Sequence, residues 1–91
     1  MVRDVRLEQA ELADGEGGQW KLEYYIRIYE GAVALEVYGI KIKRIGPDGS
    51  LSEATPGLTH SYKEAKNWLK ILAASKVTPL SLHDTIDEFI G

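Results

Sequence analysis

The chain has 91 residues, of which 44% are hydrophobic and 27% charged, with a net charge of −3 and no cysteine. That length is one domain's worth of chain (1–91), and so small a core must use nearly all its large apolar side chains. Disulfide and thiolate chemistry are excluded, no run of 18 apolar residues offers a membrane span, and the N-terminal residues lack the apolar stretch of a signal peptide, so the chain reads as cytoplasmic. Charge is uneven: residues 1–40 carry 4 basic and 8 acidic side chains, 41–76 carry 7 and 3, and 77–91 carry 3 acidic and none basic.

Val2 to Leu12 predicts a first strand with imperfect alternation. Val5 and Leu7 share one parity, Ala10 and Leu12 the other, which suggests an irregular or edge strand. The glycine-rich stretch from Ala13 to Gly18 reads as a hairpin loop. It is no phosphate cradle, because a strand follows rather than a helix and its neighbours are acidic.

Trp20 to Tyr29 alternates strictly, with Trp20, Leu22, Tyr24, Ile26 and Ile28 on one side. Glu30-Gly31 reads as a two-residue hairpin turn. That turn pairs Ile28 with Val33, Ile26 with Leu35 and Tyr24 with Val37. A β-bulge at Tyr38-Gly39 then brings Leu22 opposite Ile40 and Trp20 opposite Ile42. Gly46-Pro47-Asp48-Gly49 signals a second turn, and Leu51 to Ala54 a short fourth strand, with Ile45 facing Leu51 and Lys43 facing Glu53.

Ser61 and Glu64 form an S-x-x-E capping box that starts a helix. Tyr62, Ala65, Trp68, Leu69, Leu72 and Ala73 make its buried stripe, and Lys63, Lys66, Asn67 and Lys70 its outer side. Val77-Thr78-Pro79 breaks the chain and starts a second helix, with Thr78 as cap and Pro79 in the first turn. Leu82, Ile86 and Phe89 or Ile90 form its inner face. Strands followed by helices predict an α+β fold: a three- to four-stranded antiparallel β-meander (1–57) with a layer of two C-terminal helices (58–91) packed on one face.

The Tyr38-Gly39-Ile40 step, the long hairpin before it, and the helix followed by Val77-Thr78-Pro79 and an acidic last helix resemble a family of short bacterial proteins of unknown function. The resemblance spans Trp20 to Ile90. It implies no activity and no site residues.

Catalytic signatures are absent. Serines and threonines sit at caps and turns, where backbone bonding explains them. His60 and His83 could join Asp84, Asp87 and Glu88 in a metal site, with His83 and Asp87 four apart on one helix face, but H-x-x-x-D is a weak signal and a site needs three or more convergent ligands. The expectation is a non-catalytic protein with no metal, cofactor or small-molecule ligand and no membrane contact. What calls for explanation is the outer sheet face. Tyr25, Arg27, Tyr29, Ala34, Glu36 and Tyr38 form a candidate partner surface, suited to a protein or a second copy because interfaces favour tyrosine and arginine. The alternative is nucleic acid, bound through Lys21, Arg27, Lys41 and Lys43 with the tyrosines between them, or through the lysine-bearing helix.

Overall fold

A computed structural model describes residues 1–13, 15, 17–31 and 35–90, with Ile90 described by its backbone alone. Strands β1 (Val2–Ala13), β2 (Gln19–Glu30), β3 (Glu36–Gly46) and β4 (Gly49–Ala54) form one antiparallel sheet in the order β1-β2-β3-β4. Helix α1 (Tyr62–Ala74), a 3₁₀ turn (Pro79–Ser81) and helix α2 (Leu82–Ile90) follow. The fold is α+β, with the helices on one face of the sheet.

The strand register differs from the one the hairpin motif predicts. β2 continues through Glu30, which pairs with Glu36, and Gly31 donates its N–H to the Leu35 carbonyl at 3.4 Å. The connection is therefore longer than Glu30-Gly31. Val33 lies outside the described residues, and Leu35 stands exposed beyond the strand. Ile28 faces Tyr38, Ile26 faces Ile40, Tyr24 faces Ile42 and Leu22 faces Arg44, without a shift. No bulge occurs at Tyr38-Gly39. This register wins because it buries Ile40 and Ile42 directly opposite Ile26 and Tyr24, all of them fully enclosed. The second turn is also one residue tighter than expected: Gly46 pairs with Gly49 and Lys43 with Ser52. Leu51 consequently faces Arg44, and Glu53 faces Ile42.

A bulge does exist, in β1. Pairing with β2 shifts between Arg6 and Glu8. Before the shift Val5 faces Ile26; after it Ala10 faces Leu22 and Leu12 faces Trp20. The extra residue puts Val5, Ala10 and Leu12 on the same core side, which resolves the broken parity of that strand.

Gly39 has a different role. Past Ala54 the chain arches beside β3 before Thr59 rejoins it opposite Tyr38. A side chain at Gly39 would come within 2.5 Å of the Pro56 carbonyl oxygen and 2.8 Å of Thr55 Oγ1. Glycine is required there by the approach of a second backbone. Thr55 is the clasp: its N–H donates to the Ile40 carbonyl (2.8 Å), and its Oγ1 accepts from the Ile40 N–H (2.9 Å).

Helix α1 starts where the capping motif places it, with Ser61 Oγ accepting the Glu64 N–H at 3.1 Å. The Ser61 N–H goes to Thr59 Oγ1 rather than to Glu64. Ala65, Leu69 and Leu72 are buried, Trp68 and Ala73 half-buried, and Tyr62 lies at the margin. The helix ends in a Schellman pattern: Lys76 N–H to the Ala73 carbonyl and Val77 N–H to the Leu72 carbonyl, with Lys76 at φ 52°. Tyr24, fully buried on β2, donates its hydroxyl to the Val77 carbonyl at 2.8 Å. That bond ties the sheet to the chain between the helices. Pro79 opens the 3₁₀ turn and is itself buried, and Leu82 and Ile86 complete the core.

Candidate interaction surface

The face of the sheet opposite the helices is built from alternate positions: Asp4 and Arg6 of β1, Lys21, Glu23, Tyr25, Arg27 and Tyr29 of β2, and Lys41 and Lys43 of β3. Register alone decides its electrostatics. Asp4 lies opposite Arg27, whose guanidinium grips the carboxylate through Nε (2.9 Å) and a terminal nitrogen (3.2 Å). Lys41 reaches the same carboxylate at 3.2 Å from β3. The Arg27 bond holds the Asp4 carboxyl below the usual range, against the opposing pull of partial burial, with Lys41 helping.

A second cluster forms around Glu23, which is only 6% exposed although it stands on the helix-free face. Tyr25 donates its hydroxyl to Glu23 (2.8 Å), Arg6 bonds it at 2.7 Å, and Lys21 lies at 3.6 Å. The Tyr25 bond leads in lowering the Glu23 pKa, opposed by burial. Burial, then that same bond, raises Tyr25. The Lys41 ammonium stands 5.3 Å from the centre of the Tyr25 ring, so the two clusters share a cation over an aromatic face. Tyr29 donates to the Thr55 carbonyl at 2.5 Å, linking this face to the arch beside Gly39.

Three of the expected surface residues, Tyr25, Arg27 and Tyr29, are thus brought together. Ala34 lies outside the described residues. Glu36 and Tyr38 are on the other face. The longer β2–β3 connection gives them the parity of Ile40, so Tyr38 packs edge-to-face on Tyr62 with ring centres 5.6 Å apart. The Tyr38 hydroxyl donates to Glu36 (3.0 Å), which also accepts from Arg3 (3.1 Å). Asp4, Arg6 and Glu23 were not in the expected set. Their alternation was visible in the sequence, but their partners depend on the β1–β2 register.

His83 meets Glu53 at 3.7 Å, and His60 Nδ1 lies 3.2 Å from the Glu36 carbonyl. Among the described residues no three His, Cys, Asp or Glu side chains converge as metal ligands. Two open clefts lie along β1. One of about 390 Å³ is lined by Arg6, Leu7, Glu8 and Gln9 at the bulge; one of about 240 Å³ is lined by Glu11, Leu12, Ala13, Gln19 and Lys76. No described helix is long and apolar enough to cross a membrane.

A model for a family of unknown function, DUF6514, matches residues 3–91. The chain belongs to that family. The match runs through β1, all of the paired surface and both helices, so the bulged first strand is part of the DUF6514 region along with the hairpin and helices. No curated protein and no solved structure matches the chain.

Proposed function

We propose that the chain is a small non-catalytic interaction module that offers the helix-free face of its sheet to a protein partner. The observation that supports this reading is the anchoring of Tyr25, Arg27 and Tyr29, each held by a hydrogen bond on a face no helix covers. Tyrosine and arginine are favoured at interfaces, and side chains already held in place lose little further entropy when a partner lands. A cytoplasmic location goes with the proposal, supported by the cysteine-free composition.

The test is NMR of isotopically labelled protein in concentrated unlabelled lysate. The expected shift changes cluster at Tyr25, Arg27 and Tyr29 and disappear in a Tyr25→Ser, Arg27→Ala variant. Spectra unchanged by lysate, or changed only on the helices, refute the reading. A second reading is nucleic-acid binding by the same face, favoured by Lys43, which has no ion-pair partner among the described residues. On that reading an oligonucleotide is retained at low salt and released as salt rises; no retention at low salt eliminates it.

A further inference from the structure

The helical layer carries charge of a different kind from the sheet. Helix α1 exposes Lys63, Lys66 and Lys70; helix α2 exposes Asp84, Asp87 and Glu88 and has no basic residue in its last turn. Among the described residues none of these six has an ion-pair partner, whereas Asp4, Arg6, Glu23, Arg27 and Lys41 on the sheet are all paired. Charge on the helices is therefore unneutralised, and it is sorted by element except for the exposed Glu64 in the first turn of α1, which leaves α1 net basic and α2 net acidic. Some of it also opposes local helix electrostatics. Lys63 sits in the first turn of α1, and Asp87 and Glu88 in the last turn of α2, where the helix dipole favours the opposite sign. Helix stability alone would not place them there.

Large apolar side chains accompany both stripes. Ile71, 51% exposed, is one helical turn from Asn67; Leu80, 73% exposed, precedes α2, and Phe89 lies at its end. Helix α1 packs over β1, β2 and β3, and the 3₁₀ turn leading into α2 packs over β3 and β4, so the basic and acidic helices lie on the same face of the sheet.

We propose that two copies of this chain pair through their helical layers, about a two-fold axis running between α1 and α2. Such an axis sets α1 of each copy against α2 of the other. The lysine stripe then meets the acidic stripe twice, with Ile71, Leu80 and Phe89 supplying apolar contact. The molecule is a slab of 49 × 26 × 18 Å, and a stable interface takes roughly 800 Å² per partner, a large share of one broad face. Edge pairing through β1 is a poorer route, because the bulge between Arg6 and Glu8 interrupts its alternation.

Sedimentation velocity with charge-swap variants tests the pairing. The wild type is expected to be a dimer at low salt that dissociates as salt rises. Lys66→Glu with Lys70→Glu makes both helices acidic; Asp87→Lys with Glu88→Lys makes both basic. Each double variant should dimerise about tenfold or more weakly than wild type, while their equimolar mixture forms a heterodimer. One chain carrying all four changes is self-complementary again and should recover the dimer, which keeps the test decisive if a double variant folds poorly. A wild type that is monomeric at low salt and high concentration overturns the proposal. So does a dimer indifferent to these reversals, or a mixture no more associated than its parts. A dimer dissolved by Tyr25→Ser instead belongs to the sheet face and equally overturns it, leaving the reading of that face standing.

Discussion

Replacing Gly39 by alanine tests how β4 hands the chain to α1. The added methyl would stand 2.5 Å from the Pro56 carbonyl oxygen, 2.8 Å from Thr55 Oγ1 and 3.1 Å from the Thr55 carbonyl oxygen. Two of those are backbone atoms in a segment held from both sides. Thr55 is bonded twice to Ile40, and its carbonyl accepts from Tyr29. The molecule has two ways to respond. It can keep these bonds and shift the strand, an overpacking that costs about 1–3 kcal/mol. It can instead lift the segment and lose three hydrogen bonds, at about 1 kcal/mol each. The cheaper route sets the loss, about 1–3 kcal/mol, which in a chain of this length lowers Tm by roughly 4–24 °C. The assay is urea unfolding, followed by far-UV circular dichroism and by the fluorescence of Trp20 and Trp68. Gly39 is not in the left-handed region, so no φ penalty contributes to the loss. A loss below about 0.5 kcal/mol, the range of an ordinary surface substitution, refutes the close-approach argument.

Thr55→Val removes the acceptor for the buried Ile40 N–H and should cost about 1–3 kcal/mol in the same titration. Tyr24→Phe deletes the bond to the Val77 carbonyl without opening a cavity, so a loss of about 1 kcal/mol is expected by urea unfolding. Lys76→Gly should stabilise the chain by up to about 1 kcal/mol, because a left-handed residue with a side chain gives way to one without that strain; unchanged or lower stability would contradict the helix-end geometry. Stability as a function of pH has two signed limbs. Asp4 and Glu23 have lowered pKa values, so their contribution is complete above the ordinary carboxylate values of 3.8 and 4.5 and is lost as pH falls through the depressed ones. Tyr24 is pushed up to about 12 by burial, so its contribution holds below 10 and disappears as pH rises toward about 12; Tyr24→Phe should remove that alkaline share.

Register was the feature the sequence hid. A Glu-Gly pair after ten alternating residues is a strong local turn signal, and it offered three apolar pairs through Val33, Leu35 and Val37. The cost lay far along the chain, at Ile40 and Ile42, which a bulge had to rescue. The observed pairing needs no rescue, leaves Leu35 outside the sheet, and puts Val37 on the helix-free face against Gly57 and opposite Tyr29. The bulge expected at Tyr38-Gly39 does not form; a bulge lies instead in β1, where the parity change from Val5 to Ala10 marks it. Tyr38 moved to the helix side for the same reason: one parity error turns every residue of a strand over.

What the sequence determined by itself was local: strands from period-two patterning, the start of α1 from Ser61, the break and restart at Thr78-Pro79, and the order of the elements, hence the α+β fold. Those features depend on neighbours within a few residues, where sterics and backbone hydrogen bonding act directly. Tertiary structure decided which strand positions face each other, why Gly39 has no side chain, and which acid each base on the sheet neutralises. The decisive contacts join residues far apart in the chain, as Asp4 with Lys41 or Gly39 with Pro56. Such pairings are chosen by how much of the core the whole sheet can bury, a quantity that no short window of sequence contains.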